Sequence, residues 1–248
     1  VDLPRSFTIR EGGLRILSPF TPEKLTTLGQ AIGLRAGMSI LDLCSGKGEM
    51  LCTWARDHGI SATGVDISTV FTEAARARAG ELGVADRVTF RHGDAAEFTA
   101  DESVDVAACI GATWIGNGVP GTIQILERSL RSGGMLLIGE PYWRLDPPDQ
   151  ETVEACYAQT EETFQRLPGL VRLVQDCGWD LVEMVLASQD SWDRYAAAHW
   201  LNARRWLDVN PDDKLAAELR KELTTDPHRH VRYQREYLGW GVFALMRR

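Results

Sequence analysis

Short apolar runs that end in turn-rich stretches alternate with segments whose apolar residues recur at helical spacing. The run at 39–44 (SILDLC) reads as a strand, and 48–58 as a helix closed by Gly59. A strand at 61–67 (SATGVDI) and an Ala-, Arg- and Glu-rich helix at 69–82 follow. Strands at 87–94 and 103–111 come next, then a helix at 121–134 that Gly133-Gly134 would stop. A buried strand at 135–140, a helix at 169–177 and strands at 181–187 and 241–246 complete the pattern. Such alternation predicts an α/β fold with a doubly wound, mostly parallel seven-stranded sheet and helices on both faces.

Three stretches fall outside the alternation. Residues 1–35 read as an N-terminal helical segment, and residues 141–168 and 189–238 as insertions. In this architecture ligands bind beyond the carboxyl ends of the strands, so insertions there predict a helical cap over the site. The whole of 1–248 is expected to form one domain.

Charge narrows the function. Asp and Glu number 35 against 27 Lys and Arg, a net charge of -8, which disfavours a nucleic-acid partner. Five cysteines without paired spacing argue against a disulfide framework, and with the five histidines they form no metal constellation. Reduced thiols, no apolar run of membrane-spanning length and an N-terminal VDLPRSFTIR without an apolar core predict a cytoplasmic protein that avoids membranes.

The chemistry concentrates in Leu41-Asp42-Leu43-Cys44-Ser45-Gly46-Lys47-Gly48-Glu49, where a strand runs through a glycine turn into a helix. A dinucleotide pyrophosphate would want a third glycine where Leu51 stands, and Asp42 and Glu49 would repel it. Those carboxylates suit a ligand carrying a cationic amine and a sulfonium, which S-adenosylmethionine does. Asp66 ends the second strand, 18 residues after Gly48, where a carboxylate accepts bonds from ribose hydroxyls. Asp94, with the Ala95 N–H beside it, follows the third strand, where it would meet an adenine amine.

With these residues in place, the chain resembles the class I (Rossmann-like) S-adenosylmethionine-dependent methyltransferases, and within them a bacterial group acting on small molecules. LDLCSGKGEMLCTWARDHGI, ACIGATWI, GEPYW (139–143) and WGVFAL (240–245) carry the resemblance, which spans nearly the whole chain. It implies S-adenosylmethionine as cofactor, contacted by Asp42, Cys44, Ser45, Gly46, Gly48, Asp66, Ile67, Asp94, Ala95, Ile110 and Gly111. Such families usually have glycine where Cys44 stands.

Methyl transfer demands an aligned acceptor and exclusion of water more than any fixed catalytic set. The Asn/Asp-Pro-Pro-aromatic motif of amino methylation on nucleic acid or protein is absent after the fourth strand, where Gly111-Ala112-Thr113-Trp114 stands. Glu140, at the expected end of the fifth strand, is a candidate base or orienter, or a structural bond to the cap. In SWDRYAAAHWLNARRWL, Trp192, Tyr195, His199 and Trp206 share one helical face. That stripe is either cap packing or an acceptor pocket with His199 as base. Trp114, Tyr142, Trp143, Trp192, Tyr195 and Trp206 are the candidate acceptor contacts. His228 and His230 read as a solvated turn. The expected function is methylation of a small, partly apolar acceptor of unfixed identity. Methylation of RNA or protein, a nicotinamide-dependent oxidoreductase and a non-catalytic S-adenosylmethionine-binding module are the alternatives.

Overall fold

The chain is described from residue 2 to residue 248 in a computed structural model. Helices α1 (Arg5–Arg10) and α2 (Pro22–Ala31) lead in, followed by β1 (Ser39–Leu43), α3 (Glu49–His58), β2 (Ser61–Asp66), α4 (Thr69–Glu81) and β3 (Val88–His92). β4 (Val104–Ile110), a 3-10 turn (Thr113–Gly116), α5 (Val119–Glu127) and β5 (Leu130–Trp143) continue the alternation. After α6 (Gln150–Ala155), a second 3-10 turn (Glu161–Thr163), α7 (Leu167–Asp176) and β6 (Trp179–Leu186) comes a helical stretch. It comprises α8 (Gln189–Val209), α9 (Ala216–Arg229), a π-helical turn (His230–Gln234) and the short α10 (Arg235–Tyr237), and leads into β7 (Leu238–Arg247).

The seven strands form one sheet in the order β3-β2-β1-β4-β5-β7-β6. All neighbours are parallel except the pairs that involve β7, which is antiparallel to β5 and β6. The order reverses between β1 and β4, and a crevice opens at such a switch point beyond the strands' carboxyl ends. Strand alternation sends Ile40 and Val106 to a core with Leu28, Leu51 and Trp54 of α2 and α3. Leu41, Leu43 and Ala107 go to a core on the other face, with Ile123, Leu126 and Leu170 of α5 and α7. Being buried on both faces is why these strands read as continuous apolar runs.

Two expected boundaries are corrected. The helix expected to reach Gly134 stops at Glu127, and Leu130 already pairs with Val104. The glycines fall in a bulge where the β4–β5 register shifts between Val104 and Val106. β5 also runs on past Glu140 to Trp143, paired with β7 as far as Leu238. β4 ends at Ile110, so beyond Gly139 that strand pairs with β7 alone until a lone bridge from Trp143 to Arg166, and Pro141 is tolerated there.

The 3-10 turn after β4 is pinned by a close backbone approach. A Cβ on Gly116 would lie 2.1 Å from the Thr122 nitrogen, and one on Gly121 would lie 2.0 Å from the Gly116 oxygen. Gly116→Ala is therefore expected to cost at least about 1–3 kcal/mol, and a thermal melt checks it. A variant that melts like the parent would show that this turn yields freely.

Candidate functional site

Two cavities lie at the carboxyl ends of β1, β4 and β5. The smaller, about 60 Å³, is lined by Asp42, Cys44, Ser45, Gly46 and Ile110 and covered by Arg15–Ser18 of the N-terminal segment. The larger, about 780 Å³, begins at the next residue, Gly111, and is walled by Thr113, Trp114, Glu140 and the stretch between α6 and α7.

The glycine turn shapes the first cavity. Gly48 sits at φ +70°, and a Cβ there would come within 2.3 Å of the Phe90 ring, so only glycine keeps the loop this close to the sheet. Cys44 itself takes φ +64°, a left-handed conformation that a glycine adopts without strain. That conformation explains the glycine usual at this position, and Cys44 occupies it in this chain.

Asp42 is buried, and its Oδ1 has no hydrogen-bond partner among the described residues. Burial, and then the nearby Asp66 charge, push its pKa well above the usual carboxylate range. A buried, unpartnered carboxylate lining a cavity is a receptor for a cation. Asp66 is also buried, with Oδ2 accepting the Gly46 N–H at 2.8 Å and Oδ1 the Ser68 N–H at 2.8 Å. It thereby ties the glycine loop to the start of α4, and burial again raises its pKa. Ile67 continues from it, and its carbonyl meets His92 Nε2 at 2.9 Å. Asp94 is exposed and bonds the Ala96 N–H at 2.9 Å, with Ala95 buried beside it. Of the expected donor contacts, Asp42, Cys44, Ser45, Gly46 and Ile110 line the smaller cavity, while Asp66, Ile67, Asp94 and Ala95 lie at or just beyond the ends of β2 and β3. Glu49 is different: both its oxygens are taken by Arg78, at 2.7 and 2.8 Å, so its charge is neutralised and Asp42 carries the electrostatic argument.

These residues fit S-adenosylmethionine. Asp42 could offer an unpaired carboxylate to the methionine ammonium, and Asp66 could receive the ribose hydroxyls.

Comparison with known proteins settles the class. A methyltransferase from Geobacter sulfurreducens, described as SAM-dependent and solved in complex with S-adenosyl-L-homocysteine, is 61% identical and superposes with a TM-score of 0.98 over 100% of this chain and 99% of that one. The chain belongs to the class I S-adenosylmethionine-dependent methyltransferases. Residues 40–134 match the family model described as a methyltransferase domain. A methyltransferase from Thiobacillus denitrificans, likewise in complex with S-adenosyl-L-homocysteine, is 58% identical over the full length of both chains, with a TM-score of 0.98. The uncharacterized protein YjhP of Escherichia coli K12 is 56% identical, again over the whole of both chains. S-adenosylmethionine is accordingly the methyl donor, and the seven-stranded sheet is the Rossmann-like fold of this class.

The acceptor candidates of this methyltransferase are scattered. Glu140 is 7% exposed and lines the larger cavity, with its Oε2 accepting the Thr113 hydroxyl at 2.6 Å. Burial pushes its pKa up to about 7, against a smaller opposing effect of the Thr113 bond. Trp114 is largely exposed and lines the same cavity. Tyr142 and Trp192 line a separate cavity of about 240 Å³ with Trp240. Trp143 is buried, its indole N–H donating to the Glu161 carbonyl at 2.7 Å and its ring packed edge-on against Phe164.

The rest of the α8 stripe faces the N-terminal segment. Glu11 is fully buried, and its Oε1 accepts the Tyr195 hydroxyl at 2.8 Å and meets His199 Nε2 at 3.0 Å. Trp206 packs near Ile9 with the Arg5 guanidinium over its ring. Lys47, from the glycine turn, extends the clamp through its Nζ to the carbonyls of Glu11, Gly12 and Leu14 at 2.6–3.1 Å. The segment 11–18 is thus fastened to both α8 and the donor loop. Neither Glu11 nor Lys47 was singled out from the sequence, because each contact joins positions at least 33 residues apart. His199→Ala is expected to lower stability by about 1–2 kcal/mol, roughly 2–8 °C of melting temperature, by depriving buried Glu11 of a partner. Unchanged melting with lost turnover would return His199 to the chemistry.

His230 is also corrected. It is 2% exposed rather than solvated, with Nε2 2.8 Å from Asp193 Oδ1 and its ring edge-on to Trp200. It fastens the π-helical turn to α8. Among the described residues no helix is long and apolar enough to cross a membrane.

Proposed function

We propose that this methyltransferase acts on a small molecule held in the cavity of about 780 Å³, with Glu140 as the group that accepts or orients the acceptor's proton. One observation carries the reading. A buried carboxylate with a pKa near neutrality lines a ligand-sized cavity, one residue from the donor cavity across Ile110-Gly111. Bound S-adenosylmethionine supplies an activated methyl group on a sulfonium. Asp42 and Asp66 hold the donor, with Cys44, Ser45, Gly46, Gly48, Ile67, Asp94, Ala95 and Ile110 around it. Thr113 fixes the Glu140 carboxylate, and Trp114 contributes an aromatic wall.

In this reading the cap is divided. The 141–168 insertion covers the acceptor, through Tyr157 and Phe164 among others. The α8 stripe, with Tyr195, His199 and Trp206, instead holds the N-terminal segment over the donor. We read 1–248 as one domain, since its first and last thirds meet at Glu11 and α8. The five free cysteines suit a reducing compartment such as the cytoplasm.

The test is methyl incorporation. The protein, given S-adenosylmethionine with a labelled methyl group, is offered a low-molecular-weight cell extract, total RNA and total protein in parallel. Label is expected in the small-molecule fraction and to depend on Glu140. Label confined to RNA or protein would overturn the proposal, and donor binding without incorporation anywhere would favour a non-catalytic module.

A further inference from the structure

The larger cavity has a composition that discriminates among acceptors. Its only ionisable carboxylates are Glu140 and Glu162, and no lysine, arginine or histidine is among its lining residues. Elsewhere the chain has 27 lysines and arginines, several of them neutralising buried or half-buried acids such as Glu49. Three aromatic side chains, Trp114, Tyr157 and Phe164, share the wall, and the Tyr157 ring already carries the Arg229 guanidinium 4.9 Å from its centroid, which leaves Trp114 and Phe164 for a ligand. Glu140 is 7% exposed, and the Thr113 hydroxyl on Oε2 is its only protein partner among the described residues. Its second oxygen has no donor from the protein.

From this geometry, and resting on the assignment of this cavity to the acceptor, we infer that the acceptor is an amine, bound as its ammonium between the Glu140 carboxylate and the aromatic wall. The carboxylates and the aromatic rings of the lining favour positive charge. A buried carboxylate without a counter-ion is stabilised by a cation at hydrogen-bond range. The faces of aromatic rings attract the same cation. Glu162, exposed at the rim, adds attraction during entry. A carboxylate-, phosphate- or phenolate-bearing acceptor would meet two negative charges, while Arg229, behind Tyr157, is already paired with Asp226 and the Tyr157 hydroxyl.

The arrangement also supplies the proton step. The ammonium gives one proton to the Glu140 carboxylate and becomes a neutral amine with a free lone pair. That lone pair forms the nitrogen–carbon bond as the carbon–sulfur bond breaks, the electron pair of which stays on sulfur. Positive charge thus passes from sulfur to nitrogen, leaving a methylated ammonium beside Glu140. A carboxyl group whose pKa burial has lifted to about 7 is closer to an amine than an ordinary glutamate is, so the transfer is less uphill.

The experiment uses matched probes on the protein saturated with S-adenosyl-L-homocysteine, at about pH 8. Ligand-observed NMR and calorimetry follow three series of aryl and alkyl compounds that differ only in ending as an ammonium, an alcohol or a carboxylate. The ammonium series is expected to bind roughly tenfold or more tighter than the alcohols, and the carboxylates not measurably. Glu140→Gln is expected to erase most of that preference. Glu162→Gln, at an exposed position, is expected to reduce it about two- to threefold and to leave binding less sensitive to salt than in the parent. Equal or tighter binding of alcohols or carboxylates at this cavity overturns the amine assignment while leaving a small-molecule acceptor in place. No binding from any series, together with methyl incorporation only into macromolecules, overturns the acceptor cavity itself.

Discussion

Replacing Asp66 with alanine is expected to weaken S-adenosylmethionine binding by roughly 10- to 150-fold, about 1.5–3 kcal/mol. The side chain ends β2 in a buried position, and each of its oxygens already accepts one backbone N–H, from Gly46 and from Ser68. Each oxygen keeps a further lone pair for a ribose hydroxyl, so removal deletes two ligand bonds made by a charged group. It also frees the Gly46 N–H that holds the donor loop in shape. The variant is therefore expected to lose some stability without ligand as well, because buried N–H groups are left unsatisfied. Calorimetric titration with S-adenosylmethionine and with S-adenosyl-L-homocysteine, beside a melt of the free protein, separates the two effects. A folded variant with unaltered affinity for both ligands would remove Asp66 from the donor site.

That double duty illustrates what the sequence displays and what it hides. The positions of Asp42, Asp66 and Asp94 were legible because each lies at or just beyond the end of an apolar strand run, where chain order alone fixes the neighbours. Asp42, Asp66 and Asp94 needed no tertiary knowledge beyond a parallel sheet. Glu49 looked equally available, but its charge is committed to Arg78, 29 residues away on the next helix. Periodicity placed Tyr195, His199 and Trp206 on one face of a helix, which is correct. It said nothing about what covers that face, and the cover is Glu11 and α1 from the far end of the chain. Gly133-Gly134 carries the signature of a helix stop, yet the same glycines serve a strand bulge, because pairing of Leu130 with Val104 outweighs local helical preference. The large cavity was the least legible feature. It joins residues after β4, near the end of β5 and between α6 and α7, and only Gly111, Trp114 and Glu140 of its wall stood out beforehand, Gly111 as a donor contact.

Glu140→Gln is expected to be slower and, at alkaline pH, more stable. Glutamine keeps an oxygen acceptor for the Thr113 hydroxyl at nearly the same volume, so packing is preserved. It cannot take a proton from the acceptor, and loss of a general base lowers turnover by roughly 10²–10⁴-fold. The stability effect follows from the direction of the pKa change, which burial raises from 4.5 to about 7 in the folded protein. Between those values the native state holds a proton that the unfolded chain has lost, so stability falls as pH rises through this window. Below it both states are protonated and the penalty is absent; above it the full cost of a buried carboxylate is present. That cost is on the order of 3 kcal/mol at most, and glutamine does not incur it. Melts of parent and variant are therefore expected to coincide near pH 4 and to diverge by several degrees, with the variant higher, at about pH 8. A parallel rise in parent turnover as Glu140 ionises, through about pH 7, would tie the same group to the chemistry. Melting curves that differ equally at both pH values would show that Glu140 does not titrate in this window. A variant less stable at both would make the carboxylate a structural support for the turn at Thr113, and the acceptor's proton would need another destination.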